Sequence, residues 1–151
     1  MEEHKRIKAV IFDIDNTLYS YDENHIDGMK ALEDYCKSAF QITREEMELY
    51  YKKAGQILNE RIGSDMAAIH NRLLRIQCML ELIDQPLFPH ALHMYHAYWD
   101  TLILHSKPTK GAIEFIKELK KRNIRIGIGT DMTAYIQYKK LEALGIAPYI
   151  D

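Results

Sequence analysis

The chain has 151 residues, of which 47% are hydrophobic and 28% charged, and its formal net charge is -2. These proportions exclude a disordered or low-complexity chain and supply enough apolar surface for one domain, or for a small core carrying an insertion. So small a net charge gives no general pull toward nucleic acid or an anionic membrane.

The first apolar run, Ala9 to Phe12, is too short for a signal-peptide core or a membrane span. Residues 7–12 are nonetheless β-branched and apolar at consecutive positions, which predicts a strand buried on both faces in a parallel sheet. Polar residues follow at once: Asp13, Asp15, Asn16 and Thr17.

From about residue 24 the period becomes helical. Ile26, Met29, Leu32, Cys36 and Phe40 form one stripe. Thr43 and Glu46 have capping-box spacing ahead of a second stripe, Met47, Tyr50, Tyr51, Ala54, Leu58 and Ile62. Ser64 or Asp65 is the expected cap of a third helix carrying Ile69, Leu73, Ile76, Leu80 and Ile83. After Pro86 and Pro89 a fourth carries Leu92, Tyr95, Trp99, Leu102 and Ile103. Four amphipathic helices with short connections predict an antiparallel bundle. His90, His93 and His96 drift around their helix at steps of three with no carboxylate between them, so they read as ordinary helix residues rather than metal ligands.

Beyond Pro108 the pattern is that of a βα unit: a helix over 111–121, then a strand with Ile124, Ile126 and Ile128 that ends in Gly129-Thr130-Asp131. Lys117, Lys120, Lys121, Arg122 and Arg125, the densest basic run, suit a solvated helix end. A last helix runs to Leu144 and stops at Gly145, and Tyr149-Ile150 reads as the start of another strand. The expected fold is α/β: a parallel-sheet core formed by 1–20 and 106–151, interrupted by a helical insertion at 21–105. Cys36 and Cys78 sit within helical patterns, as free buried thiols of a reducing, cytoplasmic setting.

The chemistry concentrates in Asp13-Ile14-Asp15-Asn16-Thr17-Leu18-Tyr19. Open parallel sheets bind ligands beyond the carboxyl ends of their strands, and residues i and i+2 of an extended segment point the same way. Two carboxylates placed so repel each other unless a cation lies between them, and Mg²⁺ is the natural one because it takes oxygen ligands and shares substrate phosphates. A calcium-binding EF-hand loop is excluded, since its required Gly and Glu positions hold Leu18 and Asn24. A plain turn cap at Asp13 and Asp15, and a plain helix cap at Thr130, are the simpler alternatives.

The Asp13-x-Asp15-x-Thr17 segment resembles the first motif of the haloacid dehalogenase superfamily, and the strand ending Gly129-Thr130-Asp131 resembles its second. The block between them is similar to the helical cap of members with an insertion at that point. The resemblance implies a phosphatase of a small phosphorylated metabolite. Asp13 would be the nucleophile that forms an aspartyl-phosphate, and Asp15 the acid and base. Thr130 and Asp131 would bind the phosphoryl group, and Asp13 with Asp15 would hold Mg²⁺. Dehalogenating members lack the second Asp, which favours phosphate esters.

The resemblance also implies a Lys after a third strand and an acidic pair after a fourth, and the chain ends near the start of that third strand. A catalytically incomplete phosphate-binding or phospho-accepting module, or a phosphomutase, are therefore the alternative functions. Lys139 and Lys140, in the helix after the second motif, are poor candidates for the missing Lys. The same topology leaves one flank of the first strand unpaired, so self-association through that edge is expected.

Overall fold

The computed structural model describes residues 6–151; residues 1–5, assigned from sequence to the core segment, lie outside the described residues. In chain order the elements are β1 (Ala9–Phe12), α1 (Tyr21–Phe40), α2 (Arg44–Ile62), α3 (Arg72–Leu82), α4 (His90–His105), α5 (Ala112–Lys121), β2 (Arg125–Ile128) and α6 (Ala134–Ala143). Short 3-10 turns occupy Ala67–His70 and Ala147–Tyr149.

Local chemistry fixes most of the ends. Thr43 caps α2 through its side chain while Glu46 reaches back to the Thr43 N–H, completing the expected capping box. The cap of α3 is Asn71, which accepts from Leu73 N–H, and not Ser64 or Asp65. Gly63, with φ at 86°, first turns the chain into the 3-10 segment, which displaces the helix start by several residues. At the end of α6, Gly145 adopts φ of 69°. Its N–H donates to Glu142 O, and Ile146 N–H donates to Leu141 O. This Schellman closure buries Leu141 and Ile146 together.

β1 and β2 pair in parallel, with Ala9 opposite Arg125 and Phe12 opposite Ile128. The expectation that β1 is buried on both faces fails. Phe12 packs edge-on against Phe115 of α5, but Ile7 and Ile11 are 66% and 75% exposed. With two strands and helical cover on one side, the second face of this small sheet has nothing over it among the described residues. Nor does Tyr149-Ile150 start a strand. Pro148 sits in the first turn of a 3-10 segment, a position that tolerates its missing N–H. Asp151 alone reaches the free edge of β2, donating its N–H to Ile126 O and accepting from Ile126 N–H through Oδ2.

α1 packs on α4, α2 on α3, and α3 on α4. Leu32, Cys36, Met47, Ala54, Leu58, Ile76, Met79, Met94, Tyr98, Trp99 and Leu102 form the interior of this bundle. Both cysteines are buried and free, and burial pushes the Cys36 thiol up to about 12. The bundle leaves and rejoins the sheet at neighbouring points: Tyr19 bridges to Pro108, and Thr109 N–H donates to Leu18 O at 2.8 Å.

Candidate active site

At the end of β1 the side chains alternate as an extended segment requires. Ile14 is buried, whereas Asp13 is exposed and Asp15 half-buried. Asn16 then adopts φ of 57°, a value that Asn tolerates better than most residues. The chain folds back, with Thr17 and Leu18 N–H both donating to Ile14 O. The Asn16 side chain accepts from Asp22 N–H at the start of α1.

β2 runs alongside, and Gly129 N–H extends the ladder by donating to Phe12 O at 2.9 Å. Thr130 therefore leaves the sheet next to Asp13, at the same carboxyl end. Its Oγ1 accepts from Met132 N–H at 3.2 Å and from Gln137 Nε2 at 2.7 Å. Asp131 lies beside it, exposed, and makes no hydrogen bond to Asp13 or Asp15 among the described residues. Of the four residues singled out from sequence, the fold brings Asp13, Asp15 and Thr130 to one end of the sheet.

The side chains around Asp15 are what sequence reasoning missed. Lys140 Nζ donates to Asp15 Oδ1 at 2.6 Å, Tyr19 O–H donates to the same oxygen at 2.6 Å, and Gln137 Nε2 donates to Oδ2 at 2.9 Å. The Lys140 side chain has no exposed surface, and its ammonium also lies over the Trp99, Tyr19 and Tyr21 rings. Lys140, set aside from sequence as a candidate for the missing Lys, touches Asp15. A signal was present. Ile136, Gln137, Lys140 and Leu141 share one helical face, and all are buried. Gln and Lys on an otherwise apolar stripe mark polar groups that need buried partners.

The same contacts set the electrostatics. Burial pushes the Asp15 carboxyl upward, but the Lys140 charge and the hydrogen bonds from Lys140, Tyr19 and Gln137 outweigh it and hold Asp15 below the ordinary carboxylate range. Burial depresses the Lys140 ammonium, and Asp15 opposes that shift without cancelling it. The Tyr19 phenol is pushed far up, by burial first and by its bond to Asp15 second. At neutral pH the group is a carboxylate clasped by three donors. Part of the positive charge that the sequence assigns to a metal at these two acids is supplied to Asp15 by the chain itself.

Beside this group opens a cavity of about 220 Å³ lined by Tyr21, Ile69, His70, Arg72, Arg75 and Met132. Met132 belongs to the Thr130 loop; His70, Arg72 and Arg75 belong to the helical insertion. His90 and His93 are occupied with Tyr35, whose hydroxyl lies 2.8 and 3.5 Å from their Nδ1 atoms. No cluster of metal-ligating side chains occurs among the described residues.

Against known proteins, the sequence model of the haloacid dehalogenase-like hydrolases matches residues 7–151. The chain is 34% identical over 145 residues to a ribulose-1,5-bisphosphate 5-phosphatase of Halopiger xanaduensis, covering 95% of this chain and 60% of that protein. It is 29% identical over 149 residues to a glyceraldehyde 3-phosphate phosphatase of Methanocaldococcus jannaschii, covering 96% and 60%. The chain thus spans about 60% of the length of these curated relatives. Among solved structures, the putative HAD-hydrolase YfnB from Bacillus subtilis, bound to magnesium, superposes with a TM-score of 0.64 at 20% identity, over 97% of this chain and 64% of that one.

Proposed function

Because this chain belongs to the haloacid dehalogenase-like hydrolase family, we propose that it hydrolyses the phosphate ester of a small metabolite through an aspartyl-phosphate on Asp13. The observation that carries this reading is the meeting of Asp13, Asp15 and Thr130 at the carboxyl ends of two paired parallel strands, with Gln137 tying Thr130 to Asp15. Asp13 is exposed, so its carboxylate is open to an incoming ester. A carboxylate oxygen of Asp13 bonds to phosphorus as the ester P–O bond breaks, and the leaving alkoxide takes a proton from Asp15. Asp15 holds that proton only transiently, drawing it from the Lys140 ammonium, which burial makes the more acidic of its donors, and returning one to it when the water is deprotonated. As a carboxylate it then takes a proton from the water that attacks the phosphorus, and inorganic phosphate leaves. In this reading Thr130 O–H donates to a phosphoryl oxygen. The neighbouring exposed Asp131 provides the N–H beside it.

Mg²⁺ fits these donors, being a hard cation that prefers oxygen. The Asp13 carboxylate and the Asp15 main-chain carbonyl would hold it, since the Asp15 carboxylate oxygens are already engaged by Lys140, Tyr19 and Gln137. Its chemistry there is neutralisation of phosphoryl charge. In this reading residues 1–20 and 106–151 form the catalytic core and residues 21–105 the cap. Names of relatives that carry ribulose-1,5-bisphosphate and glyceraldehyde 3-phosphate support a sugar-sized phosphate as substrate. No helix among the described residues is long and apolar enough to cross a membrane, and two buried free thiols support a cytoplasmic setting.

With Mg²⁺ present, release of p-nitrophenol from p-nitrophenyl phosphate is expected, and Asp13→Ala should lower the rate by on the order of 10³ or more. Turnover that survives Asp13→Ala would reject the covalent route. Phosphate binding without turnover would select the phosphate-binding module instead, and movement of phosphate within a sugar phosphate would select a mutase.

A second expectation concerns assembly, and we propose that the chain self-associates along β1. Sedimentation should show concentration-dependent association that Ile11→Lys abolishes, because a charge at this exposed position blocks edge and face pairing. A monomer at every concentration, with or without the substitution, removes the idea.

A further inference from the structure

Arg72 opens α3 and is the one guanidinium buried among the described residues, at 9% exposure. Its Nη1 donates to Tyr51 O–H, and its Nη2 donates to the Tyr21 hydroxyl at 2.6 Å and the Tyr98 hydroxyl at 2.9 Å. Its Cζ lies 4.1 Å from the centre of the Tyr98 ring. Its Nε is buried with no partner. One helical turn on, the Arg75 guanidinium lies 5.2 Å from the Tyr51 ring centre. Gly55 leaves room for it, because a Cβ there would sit 3.2 Å from Arg75 Cζ and Nε.

Neither arginine has a carboxylate within ion-pair distance among the described residues. Phenol oxygens accept hydrogen bonds but bring no opposite charge. A cation taken out of water on those terms is held at a cost that an anion would relieve. His25 offers none. Its Nδ1 lies 2.6 Å from the Tyr98 hydroxyl, and burial, with Arg72 and Arg75 adding to it, lowers its pKa to about 4.

Both arginines line a cavity that Met132 also lines, and Met132 N–H is bonded to Thr130 Oγ1. The cavity is smaller than sites for drug-sized ligands, with room for an anionic head and a short carbon chain. We propose that Arg72 and Arg75 form a second anion subsite, so that the substrate is a short phosphate ester bearing another phosphate or a carboxylate at its far end. The inference rests on the reading of Asp13 and Thr130 as the phosphoryl site, to which the cavity is tied through Met132. The arginines select the substrate; they take no part in bond breaking.

Trp99 is the chain's single tryptophan and lies 5.6 Å, ring centre to Cζ, from Arg72, so its emission reports an anion arriving there. The protein is titrated with propyl phosphate, 3-phosphooxypropanoate and propane-1,3-diyl bisphosphate. One of the doubly anionic ligands is expected to half-saturate at a concentration about ten-fold or more below propyl phosphate, the gain expected of a charge-assisted guanidinium pair. Which of the two gains more assigns the far group as phosphate or carboxylate. Arg75→Met, at the half-buried and less structural of the two positions, should shrink that advantage to under about three-fold.

Equal half-saturation by all three ligands, no response to any of them, or an advantage that persists undiminished in Arg75→Met overturns the subsite. Hydrolysis of p-nitrophenyl phosphate reports separately on the phosphoryl site, because that ester carries no second anion. Failed hydrolysis with a retained bisphosphate advantage condemns the phosphatase reading and leaves the subsite standing.

Discussion

Lys140→Met is expected to lower the unfolding free energy by about 2–4 kcal/mol at pH 7. Removing one partner of a buried ion pair typically costs about 3–5 kcal/mol, because the other charge is left uncompensated. The lower figure applies here because the Asp15 side chain is 22% exposed and keeps two donors, Tyr19 and Gln137. The deficit should depend on pH in a definite direction. In the native chain Asp15 is held below its ordinary value, so its contribution is complete above the unfolded carboxylate range, near 3.9, and is lost as pH falls through the depressed folded value. In Lys140→Met the burial that pushes Asp15 upward is no longer opposed by the lysine, so the carboxyl neutralises at higher pH. The gap between the two proteins should therefore narrow on acidification. Adding Asp15→Asn to Lys140→Met should recover most of the loss, since replacing both members of a buried pair is often close to neutral. Urea unfolding of wild type, Lys140→Met, Asp15→Asn and the double variant at pH 7 and near pH 3 measures each arm. A single variant as stable as wild type, or an equal deficit at both pH values, would show that the pair holds nothing.

The parts of this fold that were legible in the sequence are those set by neighbours along the chain. The capping box at Thr43 and Glu46, the closing glycine at 145 and the extended run before Asp13 depend on a few adjacent residues, and all formed. The helices of the insertion formed too, but their expected stripes held only in part, since Ile26 and Leu92 are exposed and Ile69 lies in a 3-10 turn. What failed depended on distant partners. Whether Ile11 is covered depends on how many strands and helices surround β1, and no local pattern carries that number. The start of α3 moved because Gly63 diverted the chain before Ser64 could act as a cap. In the site, Asp13 and Asp15 were visible because they are two residues apart. Lys140 is 125 positions from Asp15 and was visible only as a polar residue on an apolar stripe. The burial of Arg72 among Tyr21, Tyr51 and Tyr98 required three helices to converge.

Trp99→Ala should cost about 3–5 kcal/mol from packing alone, as large aromatic truncations in cores do, against a total stability of about 5–15 kcal/mol for a domain. Trp99 is 1% exposed and meets Tyr98 edge-on at 4.9 Å. Its position gives it a second task. Lys140 Nζ lies 4.9 Å from its ring centre and Arg72 Cζ lies 5.6 Å from it, so one indole serves two buried cations that would otherwise repel each other. Packing and cation–π attraction can be separated by two further variants, because Phe and Leu both fill part of the space but only Phe presents a π face. Trp99→Phe is expected to be more stable than Trp99→Leu by about 1 kcal/mol, the scale of a desolvated cation–π contact. The difference should vanish when Lys140→Met and Arg72→Met are both present, as a coupling energy must when its partners are removed. Thermal unfolding followed by circular dichroism reads all of these without using the tryptophan itself. Phe and Leu variants of equal stability in the otherwise native chain would reduce Trp99 to a space-filling residue. The two cations would then be held apart by their separate partners alone, Asp15 for Lys140 and the three tyrosines for Arg72.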